Sequence, residues 1–253
     1  MKFPARASSS IVVALMVLLL LGAQRQRAGA PASQPATAPP QQLQSIDAVR
    51  TWYLQLADRD PEVREQARIN LMGIKRKELA ALEKVVAENR PVQASQAAVL
   101  YDIVTHVYMA GEPYQINDTM GGFLGLREMR DWDAPPGVMI TTRIAGFPAY
   151  RMLREGDLIV GIDEVPDTPI TSSNEFVTVL RQMPAGAVVT LRVLRGGNVQ
   201  KVPVKLDPRP AAASGLGDAM AVLESTRQSK AEEYWARAFA PLVGDQSVSA
   251  LHP

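Results

Sequence analysis

The chain contains no cysteine, which removes disulfides, thiolate nucleophiles and cysteine-built metal sites together. It has only two histidines, His106 and His252, so a histidine metal centre would need most of its ligands elsewhere. Neither sign of charge is in excess: 27 basic residues face 26 acidic ones. The strongly basic stripe of a nucleic-acid-binding surface is therefore not expected. Nor does the apolar run near the N-terminus, Ile11 to Leu21, reach the ~20 residues that span a bilayer.

That run has another layout. Lys2 and Arg6 precede it and small residues follow, the pattern of a secretory signal peptide over residues 1–30. "LGA", Leu21 to Ala23, and "AGA", Ala28 to Ala30, are both candidate cleavage sites. An uncleaved short anchor is the second reading. Both place the folded part outside the cytoplasm, periplasmic or secreted. Residues 31–45 are rich in Pro, Ala and Gln and lack apolar periodicity, as a semi-extended linker does.

Helical periodicity occupies 46–113. Val49, Trp52, Tyr53 and Leu56 recur at i, i+3, i+4 and i+7, one face of a helix. Asp60 is a suitable N-cap, with Pro61 at the first helical position and Glu62 beside the positive end of the dipole. Val63, Ala67, Leu71 and Ile74 continue an apolar stripe. A third helix runs through Leu79, Leu82 and Val86 to "NRP", and a fourth through Ala97, Tyr101, Val104 and Tyr108 to Gly111. "DRDPEVREQARINL" resembles a HEAT-like repeat, in which an Asp-Pro pair opens the helix. Such repeats bury a core only by stacking; an ordinary helical bundle is the equal alternative.

From Val138 the period changes to two. Val138, Ile140, Thr142 and Ile144 alternate, "DLIVGID" is a short apolar run, and "VVTLRVLR" and "VPVKL" flank a turn at Gly196 to Asn198. The overall expectation is an α+β fold: a helical hairpin block, then a small β-barrel or sandwich with one amphipathic helix, then a linker and C-terminal helix over 209–253. In that tail, Tyr234, Trp235, Ala238, Phe239 and Leu242 form an apolar patch at helical spacing, read as docking on the chain's own core ahead of a partner site.

The segments "GFLGLREM", "PPGVMITTRIAGFPAYRMLREGDLIVGIDEVP" and "SSNEFVTVLRQMPAGAVVTLRVLRGGNVQKVPVKL" come in an order and spacing that resemble a PDZ domain of the bacterial envelope-protease (HtrA-like) type. The resemblance covers residues 117–208. It implies a peptide added as a strand to a sheet edge, with its C-terminal carboxylate held by backbone amides. By that resemblance Phe123, Leu124, Gly125 and Leu126 form the carboxylate loop, and Gly125 lets the amides converge into an anion-binding nest. Leu124 and Leu126 would floor a side-chain pocket. The edge, Leu126 to Met129, includes Arg127 and Glu128. Ser173, Val177 and Leu180 belong to the helix that closes the groove, although Val177 and Leu180 could instead face the core. Ser173 stands where some relatives carry a hydroxyl-selecting histidine, which leaves an apolar ligand preference. The pattern departs at Asp163-Glu164, where relatives commonly have a glycine. "DWDAPP", Asp131 to Pro136, reads as a tight acidic connection.

An active site is not found. His106 lies on an expected helix with no serine in a nucleophile context, and reads as a structural histidine. "HExxH" is missing, and "GGFLG" is not a dinucleotide fingerprint. No catalytic residue, metal or cofactor is expected. The expected function is a non-enzymatic secreted or envelope adaptor that binds apolar C-termini or exposed strands of unfolded envelope proteins. The rivals are an accessory or degenerate subunit of an envelope protease, and an assembly protein with an occluded groove. Partners are expected among proteins, with no nucleic acid, and membrane contact only through an uncleaved signal segment.

Overall fold

The computed structural model describes residues 45–117, 119–166, 170–214 and 218–244. The signal-peptide and linker expectations, and His252, lie outside the described residues. In chain order the elements are helices α1 (Ile46–Gln55), α2 (Pro61–Met72), α3 (Leu79–Glu88) and α4 (Ala94–Ala110), then β1 (Leu126–Asp133), β2 (Pro136–Arg143), α5 (Pro148–Met152), β3 (Leu158–Ile162), α6 (Ser173–Gln182), β4 (Val188–Arg195), β5 (Asn198–Lys205), α7 (Ala219–Ala238) and the short α8 (Ala240–Val243).

The helix starts follow their local chemistry. Asp60 accepts a hydrogen bond from the Glu62 amide at 2.8 Å with Pro61 at the first helical position, which satisfies one orphan donor of α2. Ser172 and Glu175 form a reciprocal capping box at the start of α6. Val49, Tyr53, Leu71, Leu82, Val86 and Val104 then bury the apolar stripes of the first four helices in one core. Trp235 and Phe239 of the C-terminal segment complete it, so the patch read in the tail docks on the chain itself. The helical layer is built from both ends of the described chain.

The sheet has five antiparallel strands in the order β1-β2-β3-β4-β5. Its inner face, with Val138, Ile140, Ile159, Leu191 and Val193, packs on Phe176 and Leu180 of α6. Gly196 and Gly197 both have positive φ, 56° and 82°, as a two-residue hairpin turn between β4 and β5 requires. Asp163 and Glu164, the departure from the expected glycine turn, have structural work instead. Asp163 pairs with Lys201 at 2.8 Å, and the Glu164 carboxylate accepts the Thr190 amide at 2.9 Å and 3.0 Å. Asp157 is 2% exposed and takes a forked bond from Arg195 at 2.7 Å and 2.6 Å, a bidentate geometry that fixes a turn.

The segment "DWDAPP", expected to be a tight connection, is mostly strand. Asp131 to Asp133 belong to β1, which pairs with β2 as far as Asp133 opposite Pro136. Only Ala134 and Pro135 connect the strands. β1 is thus eight residues long, twice the length expected for the edge.

Helices and sheet are joined by polar bridges. The His106 Nδ1 of α4 accepts the Gly146 amide at 3.1 Å, and the Tyr150 hydroxyl donates to Asp102 at 2.7 Å. Arg151 donates to the Ile69 carbonyl at 2.8 Å and Arg68 to the Arg151 carbonyl at 3.0 Å. Burial, aided by four neighbouring guanidiniums, depresses His106 to about 3. A histidine held neutral and used as an acceptor is structural.

Candidate functional site: a groove between β1 and α6

β1 is the edge strand beside α6, and the loop that feeds it begins at Gly121. Gly125 has φ of +81°, a conformation glycine adopts without penalty. A Cβ there would lie 2.1 Å from the Phe147 Cβ. The glycine is therefore demanded by backbone shape and by Phe147 behind the loop.

The loop's carbonyls are tied inward. Leu124 O accepts the Ala149 amide at 2.8 Å and Gly125 O accepts the Ile144 amide at 2.8 Å. The Phe123 amide is engaged by Asp207 O at 2.8 Å. Among the described residues, the Leu124 and Gly125 amides donate to no protein acceptor. Two successive free N–H groups around a positive-φ glycine form an anion-binding concavity.

Beneath them is a cavity of about 80 Å³ lined by Phe123, Leu124, Gly125, Leu126, Met129, Phe176, Val177, Leu180 and Arg209. Six of the residues expected from the sequence line it: Phe123, Leu124, Gly125, Leu126, Val177 and Leu180. Leu124 and Leu180 are at the same time core residues, while Val177 is half-buried. The space suits one branched aliphatic side chain, since small-molecule pockets run to about 300–1,000 Å³.

Three expected residues fall elsewhere. Arg127 is exposed and pairs with Glu224 of α7. Glu128 sits at a register shift in β1 and accepts from Thr142 at 3.3 Å. Ser173 is the first residue of α6, away from the cavity, and both its amide (2.7 Å) and its hydroxyl donate to Asp131. Those bonds hold Asp131 below the usual carboxylate range and tie β1 to α6 at the end of the groove remote from Gly125. The Ser173 hydroxyl is already used, so it selects no ligand group.

Arg209, in the segment expected to be a linker, also lines the cavity. Its backbone is held to the domain, because the Asn117 amide donates to Arg209 O at 2.9 Å. The chain around it is anchored by bridges of Phe123 to Asp207 and Ile116 to Pro210. Alternation gives no sign of this, since "DPRPAAAS" lacks any period.

A family model covers this loop and groove. Residues 122–206 match the family model described as PDZ domain, and this part of the chain is a PDZ domain. Solved structures similar to the chain include "HtrA-type protease AlgW with decapeptide", at 19% identity and a TM-score of 0.32, covering 44% of this chain and 34% of that one. Another is the HtrA3 PDZ domain bound to a phage-derived ligand, at 21% identity and a TM-score of 0.32, covering 39% of this chain and 96% of that one. The chain thus spans about a third of the AlgW chain it resembles. No curated protein matches.

Proposed function

We propose that this chain is a non-catalytic peptide-binding protein of an extracytoplasmic compartment, which takes protein C-termini ending in a small branched apolar residue. One observation carries the reading: two unengaged amides stand over an apolar cavity sized for one side chain, beside the open edge of β1. A peptide laid along that edge completes its hydrogen bonds with the strand, drops its last side chain into the cavity, and presents its carboxylate to Leu124 and Gly125. The compartment rests on the signal-like N-terminus. Exposed strands of unfolded envelope proteins and an envelope protease that this chain assists are the partners such a groove would serve.

Magnitudes set the affinity. Burial of one Val or Leu side chain contributes about 1.5–3 kcal/mol, and each hydrogen bond to a charged group about 1.5–3 kcal/mol. Association offsets at least about 4 kcal/mol of that, so single-site binding is modest. The test is calorimetry of the full chain against peptides varied at the last two residues, each paired with its C-terminal amide. Binding by Val- or Leu-ended acids that is lost in the amides supports the reading; equal binding of acid and amide, or none, overturns it.

A further inference from the structure

The cavity has one charged member, and it comes from outside the matched domain. Arg209 lies beyond residue 206, where the family match ends, yet it is 7% exposed and lines the same cavity as Leu124 and Gly125. Its Nη2 donates to the Gly122 carbonyl at 3.2 Å, and its guanidinium carbon sits 5.1 Å from the centre of the Phe123 ring. Its Nε is buried with no acceptor among the described residues, and no carboxylate pairs with it in any ion pair among them.

Arg227, whose Nε and Nη1 are likewise buried with no acceptor among the described residues, differs from Arg209 in its electrostatic surroundings. It donates to the Met109 carbonyl and lies against the rings of Tyr114 and Phe147. Glu112 and Asp207 are close enough to favour its charge. Burial lowers the Arg209 pKa, and the charge of Arg181, of its own sign, adds to that lowering. Arg181 and Arg209 also share a second cavity of about 340 Å³ beside Gly121. A buried guanidinium with one hydrogen bond, no counter-charge and a like-charged neighbour is an incomplete arrangement.

We infer that Arg209 is the counter-charge of the peptide carboxylate, so that the anion site is shared between the glycine loop and the segment that follows the domain. This rests on the proposed peptide binding at the same groove. The loop amides supply directed hydrogen bonds, and the guanidinium supplies the charge and a further donor, Nε. A ligand carboxylate completes the unmatched cation, so ionic selectivity for a free C-terminus comes chiefly from Arg209.

The experiment uses the full chain and the acid and amide peptides that bind best in the calorimetric series. In wild type, the acid form is preferred. In Arg209→Met, which keeps length and apolar bulk, acid binding falls by at least about tenfold while amide binding changes little. Unchanged acid preference in a folded Arg209→Met overturns the inference and leaves peptide binding standing. Absence of acid preference in wild type overturns the peptide reading and this inference with it. Should Arg209→Met fail to fold, the Arg209 Nε–H resonance of wild type decides: a shift with acid and not with amide supports the assignment, and no shift with either overturns it.

Discussion

At the scale of single residues, the site depends on positions whose tolerance is set by what lies behind them. Gly125→Ala forces a Cβ onto Phe147 in a backbone conformation that L-residues rarely adopt. Denaturant unfolding should show a loss of about 2–5 kcal/mol, and an unchanged midpoint would contradict the account of the loop. Buried His106 and half-buried Asp207 also give opposite pH signatures. His106 is depressed to about 3, so below its unfolded value near 6.5 the unfolded chain binds a proton the native one does not. Its contribution is complete above that value and is lost as pH falls. Asp207 is raised to about 6 by burial, so between about 4 and 6 the native chain holds the extra proton. Its contribution is present at low pH and is lost as pH rises. Between pH 4 and 6 the two slopes oppose each other. Asp207→Asn should make stability rise more steeply with pH and His106→Asn less steeply, each by up to about 1.4 kcal/mol per pH unit. Urea midpoints taken across that range check both signs.

Much of this residue-level picture was legible beforehand, because the loop's identity lies in a local order of glycines and apolar residues. Four lining residues, Phe123 to Leu126, belong to that order, and Val177 and Leu180 follow from the resemblance to a PDZ domain. Arg209 does not, since its burial is decided by the chain wrapping back past Phe123 and Gly122, a contact with no local trace. Ser173 was misread for a related reason. Its hydroxyl points to Asp131, and that aspartate had been assigned to a connection and not to a strand.

At the scale of elements, legibility followed burial. β4 alternates buried and half-buried residues from Val189 to Leu194, and β2 alternates over Val138 to Thr141, so their period is visible. β1 is exposed along almost its whole length; with no face to bury it shows no alternation, and its second half passed for a loop. That exposure is what a free edge requires for strand addition. Val177, half-buried at the cavity wall of α6, is the place to close the groove without disturbing the core. Val177→Trp should abolish binding of acid peptides while the melting temperature stays within a few degrees of wild type; retained binding would mean the ligand lies elsewhere. The C-terminal helix tests differently. Phe239 is fully buried and stacks on Trp235 at 5.8 Å, so Phe239→Ala should lower stability by about 3–5 kcal/mol in chemical denaturation.

At the scale of the whole molecule, the PDZ domain is clasped by helices that come before and after it. His106, Tyr150, Arg151 and Arg68 bind it to the first helices, and Arg127 and Glu224 link β1 to α7. Tyr114, Ala213 and Met220 cover the Phe123, Ile144 and Phe147 cluster behind the loop. The same contacts mean that binding and stability share one scaffold, since the wall behind the glycine loop is the interface itself. Hydrogen exchange should therefore report one common opening free energy for the Val104 amide of α4 and the Leu191 amide of β4; two distinct values would show separate units. Among the described residues no helix is long and apolar enough to cross a membrane.

The central claim is that the loop amides receive a peptide carboxylate, and amide NMR of the full chain tests it most directly. Titration with a Val-ended peptide acid should shift the Leu124 and Gly125 amide protons downfield, while the matching peptide amide leaves them in place. Shifts of equal size with both forms, or confined to residues far from β1 and α6, would contradict carboxylate capture in this groove.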